Sequence, residues 1–266
     1  MSNVNTSDQW YASWFDTPYY HILYRDRDYA EAGAFMKRLT QRLKLDKNAQ
    51  IMDLACGRGR HSMYLNQLGY RVTGVDLSDS SIAFAKAELR KNSSGVSNKE
   101  EHNSLKPIDA SSIEFHVHNM TVAYDQSFDA VFNLFTSFGY FDDASDNLKT
   151  ITAIKENLKP GGYGVIDFMN VSHVIKNLVG QNSKTEEGIT FNNSRRFENG
   201  FIYKDIKFRD NDHDYHFTER VSALTLEDFQ GYFSAAGVHL IEVYGNYHLE
   251  DYDKEISDRL IMIFRK

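Results

Sequence analysis

The sequence predicts an α/β chain: a doubly wound, mostly parallel sheet with helices on both faces, interrupted late by a small antiparallel sheet. Three observations predict it. Residues 51 to 62, IMDLACGRGRHS, pass from an apolar run through Cys56-Gly57-Arg58-Gly59 into helix formers, which reads as buried strand, glycine turn and helix start. Four further apolar runs, YRVTGVDLS, IEFHVHNM, FDAVFNLF and YGVIDFMN, follow at spacings that leave room for helices between them. Residues 183 to 222 then break the pattern: FIYKDIKF and DYHFTERV, with Asn199-Gly200 and Asp210-Asn211 as turn signals, read as antiparallel hairpins.

The bulk properties bound the answer. With 266 residues, 41% of them hydrophobic and 14% aromatic, the chain can bury one large core with one elaboration. A formal charge of -7 and scattered basic residues offer no field for a polyanion, so nucleic acid is not an expected partner. Cys56 is the single cysteine, which excludes disulfides within the chain and cysteine-rich zinc sites. MSNVNTSDQW has no apolar core of signal-peptide length and no run approaches about 18 apolar residues, so a cytoplasmic protein without membrane contact is expected. Monomer and homodimer both remain open.

Taken in order, residues 1 to 9 are polar and expected to fray. Trp10, Tyr11, Trp14, Phe15, Tyr19, Tyr20 and Tyr24 then crowd one short arm. Ala32, Phe35, Met36, Leu39 and Leu43 recur at helical spacing, predicting a helix from about Asp28 to Lys44 that lies on the sheet and carries the arm across the glycine turn as a lid. The plainer alternative is that the arm's aromatics only dock it. Arg60 to Leu68 forms the next helix, ended by Gly69, and Ser78 caps another whose core face is Ile82, Ala85 and Leu89. Residues 92 to 112 are polar and aperiodic, a mobile surface loop. Leu148, Ile151, Ile154 and Leu158 line a helix stopped by Pro160-Gly161-Gly162, and Thr225 with Asp228 resembles a capping box opening a helix through Phe229 and Phe233 to Gly237. VHLIEVYG and DRLIMIFR close the chain as strands, the sixth and seventh of the main sheet. Three units are expected: 1–45 as arm and lid helix, 46–170 with 223–266 as the core, and 171–222 as an inserted β subdomain over the site.

A dinucleotide turn needs a third glycine three residues after the second, where Ser62 stands here. The second strand ends in Asp76, spaced to put a carboxylate beside a ribose. A nucleoside without a pyrophosphate fits best. DLACGRGRH with GVDLS, followed by FDAVFNLFTSFGYF and LKPGGYGVIDF, resembles the class I S-adenosylmethionine-dependent methyltransferases over roughly residues 50 to 170. That resemblance implies a Rossmann-like seven-stranded sheet closed by an antiparallel hairpin, S-adenosylmethionine as cofactor, and an insertion roofing the acceptor pocket. It carries cofactor contacts onto Asp53, Ala55, Cys56, Gly57, Gly59 and Arg60 at the turn. It places Asp76, Leu77 and Ser81 by the ribose, Asn119-Met120 by the adenine, Asn133 after the fourth strand, and Tyr24 and Arg25 at the methionine end.

Methyl transfer needs in-line placement and a dry site more than a charged triad. Asn133 through Phe141 supplies the acceptor candidates: Thr136, Phe138 and above all Tyr140, with Tyr19 and Tyr20 from the arm. His173 is the nearest base in sequence, with a helix-start role as its alternative. Arg195 and Arg196 could clamp an anion, although adjacent strand residues face opposite sides and at least one then meets solvent. His116 and His118 share a strand face without a third ligand, and Asp167 and Asn170 lack the companion aspartate of a magnesium site, so no metal is expected. The stretch is not the Asn/Asp-Pro-Pro-aromatic motif of nucleobase and glutamine methyltransferases, which favours a small-molecule N or O acceptor. Methylation of a protein or RNA, and a non-catalytic S-adenosylmethionine binder, are the rivals. A nicotinamide dehydrogenase is the most distant reading, because of Ser62.

Overall fold

The computed structural model describes residues 10–25, 29–93 and 105–266. Expectations for residues 1–9, and for most of the polar loop at 92–112, fall outside them; within that loop, the helix begun at Ser78 reaches Ser93 and residues 105–112 are irregular.

The apolar runs form a seven-stranded sheet from β1 (Gln50–Leu54), β2 (Arg71–Asp76), β3 (Ile113–Val117), β4 (Phe128–Asn133), β5 (Leu158–Met169), β10 (His239–Tyr244) and β11 (Arg259–Arg265). Their order is β3-β2-β1-β4-β5-β11-β10, and only β11 runs against its neighbours. Asp53 pairs in register with Gly74 on one side and Phe132 on the other, so β1, β2 and β4 end together at one edge. The reversal of order beside β1 opens a crevice there, where ligands of such sheets bind.

Helices α3 (Tyr29–Arg42), α4 (Arg60–Gln67) and α5 (Asp79–Ser93) cover one face; their Phe35, Met36, Leu39, Leu65 and Ile82 pack on Ile51, Val72 and Phe132. The other face is covered by α6 (Ala144–Asn157) and α8 (Leu226–Ala236), with Ile151, Ile154, Phe229 and Phe233 on Val131, Ile166 and Met262. Thr225 and Asp228 form the reciprocal capping box, and Gly237 ends α8 with φ of 68°. Pro160-Gly161-Gly162 does not separate α6 from the strand, as the sequence suggests. It lies inside β5, where the β4 register slips between Phe128 and Ala130. The short helix α7 (Val171–Lys176) follows β5.

Strands β6 (Gln181–Glu186), β7 (Ile189–Glu198), β8 (Phe201–Asp210) and β9 (His213–Ser222) form an antiparallel meander. Its turns are Glu187-Gly188, Asn199-Gly200 and Asn211-Asp212, each with two positive φ values, which matches the twist of two-residue hairpins. The third turn is thus one residue later than the Asp210-Asn211 signal suggests.

The arm folds as α1 (Trp10–Trp14) and α2 (Pro18–Leu23). Trp14 and Leu23 share a core with Ile189, Phe191, Ile206 and Phe208 of the small sheet, whereas α3 packs in the main domain. Trp14 Nε1 and Tyr24 Oη both donate to Glu219 at 2.7 Å, and Lys184 donates to the Leu23 carbonyl at 2.9 Å. Among the described residues no helix is long and apolar enough to cross a membrane.

Candidate functional site

A cavity of about 880 Å³ lies at the carboxyl ends of β1, β2, β3 and β4, walled on its far side by the arm. After Leu54 the chain turns through Ala55, Gly57 and Gly59, with φ of 63°, 55° and 77°. A Cβ on Gly57 would meet nothing within 4 Å, so this position opens onto the cavity. Gly59 does different work: a Cβ there would lie 2.6 Å from the Phe115 ring, and the residue serves close helix-strand packing rather than the cavity wall.

One carboxylate closes the turn. Asp76 accepts from the Gly57 N–H through Oδ2 at 2.8 Å and from the Ser78 N–H through Oδ1 at 2.9 Å, and burial holds its carboxyl above the usual range. Ser78 in turn caps α5 by accepting from the Ser81 N–H at 3.0 Å. Asp53, 2% exposed, accepts from the Ser62 hydroxyl at 2.6 Å. Burial pushes its pKa up to about 6, against the opposing hydrogen bond. Burial also raises the Cys56 thiol well above its usual value, which keeps it neutral.

Ala55, Cys56, Arg60, Leu77, Ser81, Asn119, Met120, Tyr20, Tyr24, Arg25 and Tyr140 all lie on the cavity wall with Asp53, Gly57 and Asp76. The polar ends of several are engaged. Asn119 Oδ1 accepts from the Thr121 N–H and hydroxyl at 3.0 Å each, Arg25 pairs with Glu187 at 2.7 Å, and Tyr140 donates to the Thr136 carbonyl. Residues the sequence reading missed also line it: Arg58, whose guanidinium lies 4.3 Å over the Phe84 ring, and His61, stacked on Phe135 at 4.4 Å. His61 follows Arg60 on the first turn of α4 and was open to inference; Phe135 takes its place through φ of 59°, which no pattern announces.

Other expected site residues point elsewhere. Asn133 is fully buried and donates to the Leu54 carbonyl at 3.1 Å, fixing β4 to the turn from behind. Phe138 is buried against Phe229, and Thr136 Oγ1 accepts from Arg259 at 2.9 Å. Tyr19 sits between Phe208 and Tyr215 with its hydroxyl on Asp210 at 2.9 Å. His173 lies on α7 beside Glu255 and Asp258. Arg195 donates to Asn182 at 2.8 Å, while Arg196 pairs with Asp205 and Glu198. Each is engaged by other partners, and none of the seven lines the cavity. Asp167 and Asn170 are likewise internal: Asp167 holds Arg259, and Asn170 donates to the Lys254 and Ser257 carbonyls.

The cavity suits a nucleoside with an amino-acid tail. Gly57 leaves room beside the turn, Asp76 offers carboxylate oxygens at the strand end, and the volume falls in the range of cofactor sites.

Comparison with known proteins agrees. Residues 45–220 match the family described as "Methyltransferase domain". YqeM of Bacillus subtilis (strain 168), which carries a methyltransferase name, is 30% identical over 123 residues; the match covers 46% of this chain and 43% of YqeM. An S-adenosylmethionine-dependent methyltransferase from Clostridium acetobutylicum ATCC 824 shares the fold with a TM-score of 0.73 at 20% identity, over 93% of this chain and 95% of that one. CalS10, an amino pentose methyltransferase from Micromonospora echinaspora whose structure holds S-adenosylmethionine, does so with a TM-score of 0.68 at 18% identity, over 94% and 97%. The chain therefore belongs to the methyltransferase domain family and is an S-adenosylmethionine-dependent member of it.

Proposed function

We propose that the chain transfers the methyl group of S-adenosylmethionine to a nitrogen or oxygen of a small molecule. The observation that carries this is the Gly57–Asp76 closure, opening onto a cavity to which the arm and Tyr140 bring aromatic rings. The sulfonium supplies an activated methyl when bound. This chain's residues then bind, orient and exclude water. Asp76 accepts from the ribose hydroxyls, and Leu77, Ser81, Asn119 and Met120 flank the base. Gly57 gives the methionine part access to the turn, with Arg60, Tyr24 and Arg25 around its carboxylate. Tyr11, Phe15, Tyr20 and Tyr140 form an aromatic wall for the acceptor, with Phe15 and Tyr140 ring centroids 5.5 Å apart. The arm acts as the roof, and the small sheet backs it through their shared core.

Enclosure on this scale favours a small molecule over a protein or RNA, which need a docking face. Calorimetric titration with S-adenosylmethionine and S-adenosylhomocysteine, with NAD as control, tests the cofactor; a panel of small amines, acids and phenols with labelled cofactor tests transfer. Micromolar binding of the sulfur nucleosides and label transfer to any panel class support the reading. Binding without transfer to any of them favours a non-catalytic binder.

A further inference from the structure

Behind the cavity wall, β11 reaches across β5 to the loop that follows β4. Phe135 and Thr136 hold successive left-handed conformations, φ of 59° and 60°, which side chains rarely adopt and which persist only where surroundings over-determine them. The surroundings here are one fully buried carboxylate and one guanidinium. Asp167 Oδ2 accepts from the Phe135 N–H at 2.8 Å, and the Asp167 carbonyl accepts from the Thr136 N–H at 2.9 Å. Arg259 spans the two: Nε donates to Asp167 Oδ1 at 2.8 Å and Nη2 to Thr136 Oγ1 at 2.9 Å. Tyr247 adds a donation to Asp167 at 3.3 Å, and Tyr140 donates to the Thr136 carbonyl.

The loop's products face the cavity although its fastenings do not. Phe135 lines it, stacked on His61 at 4.4 Å with 12° between the planes, and Tyr140 lines it beside Phe15. Asp167, Thr136 and Arg259 lie outside that lining. A forked, planar donor suits this bridge because it presents its N–H groups to two acceptors in a fixed geometry, which a flexible ammonium does not.

We propose that Arg259 is a positioning residue for methyl transfer, acting through Asp167 and Thr136 to hold the left-handed turn that sets the Phe135 and Tyr140 faces of the acceptor wall. The inference rests on the transferase reading for its consequence and on geometry alone for its mechanism. Cofactor binding at Gly57 and Asp76 does not pass through this bridge, so the bridge governs turnover more than cofactor affinity.

The test uses the full chain with Arg259→Lys, Arg259→Met and Thr136→Val. The last removes only the Thr136 arm and leaves the buried ion pair intact, which guards against a simple loss of folding. The first readout is the His61 ring signal by nuclear magnetic resonance, assigned by its loss in His61→Gln; stacking on Phe135 displaces it by ring current. The second is S-adenosylhomocysteine affinity by calorimetry, and the third is turnover with the panel acceptor. Thr136→Val and Arg259→Met should move the His61 signal towards its unstacked position and lower turnover by about tenfold, with S-adenosylhomocysteine affinity kept within about threefold. Arg259→Lys should recover part of both losses. An unmoved His61 signal in folded variants, or turnover that falls only in step with S-adenosylhomocysteine affinity, overturns the proposal. Failure of the wild-type chain to bind S-adenosylhomocysteine would instead remove the transferase reading, while the His61 signal would still report on the turn.

Discussion

The Gly57 N–H points at Asp76 Oδ2 across 2.8 Å, so the turn after the first strand and the tip of the second are fastened by a single carboxylate. Both ends of the crevice depend on it. Removing that carboxylate orphans the Gly57 and Ser78 N–H groups as well as any ribose hydroxyl it receives. Asp76→Ala is expected to weaken S-adenosylhomocysteine binding by about 1–3 kcal/mol. Calorimetry checks this, and unchanged affinity would take Asp76 out of the ribose site.

Gly57 combines φ of 55° with open space where a Cβ would project. Gly57→Val therefore adds left-handed strain of about 1–2 kcal/mol and fills the ligand's side of the turn. The expected result is a chain with the circular dichroism of the wild type, a somewhat lower melting temperature and no measurable S-adenosylhomocysteine binding; retained affinity would show that the turn is not the cradle.

Asp53 carries a pH signature. Its pKa rises from 3.8 unfolded to about 6 folded, through burial, so the folded chain holds more protons between these values. Stability from this group is thus greatest at low pH and declines as pH climbs from about 4 to 6, by up to roughly 3 kcal/mol. Asp53→Asn keeps an acceptor for Ser62 without the charge. Its melting temperature should exceed that of the wild type at pH 7.5, and the gap should close near pH 4. A gap independent of pH would mean that Asp53 does not titrate in this window.

Trp14 is 1% exposed, lies 4.5 Å from the Phe217 ring and donates to Glu219. Trp14→Ala should cost about 3–5 kcal/mol, felt by the small sheet rather than the main one. Hydrogen exchange should rise across β7 to β9 while β1, β4 and β5 stay protected. Uniform loss of protection would show that the two sheets unfold together.

Deleting the arm through Arg25 follows from the same core. A lid seated on the main sheet would detach without damage, but this one would uncover Phe191, Ile206 and Phe208. The truncated chain should bind a hydrophobic dye and aggregate, as read by fluorescence and light scattering; a monodisperse, dye-silent product would restore the detachable lid.

The sequence showed local things well. Strand, turn and helix start at Ile51 to Ser62, the Asp76 that ends the second strand, and the box at Thr225 and Asp228 are each written within a dozen residues, where spacing and backbone chemistry decide. What it hid is long-range. Nothing near Arg259 announces that it reaches Thr136, and nothing near Tyr19 says that its hydroxyl meets Asp210 rather than a ligand. Phe138 and Tyr140 look alike in sequence, yet two residues' difference turns one to Phe229 and the other to the cavity. Arg195 and Arg196 read as a clamp because their carboxylate and amide partners, Asp205 and Asn182, come from neighbouring strands.

The 205 residues between Trp14 and Glu219 also set a timetable. At a synthesis rate of about 5–20 residues per second, the arm waits roughly 10–40 s on the ribosome for the strands that bury it. Two tryptophans and their tyrosine neighbours are then sticky and unaccompanied, the first part of that core to be made and the last to be housed. Slow translation would lengthen that exposure, and an interrupted chain ending before β8 would leave the surface bare.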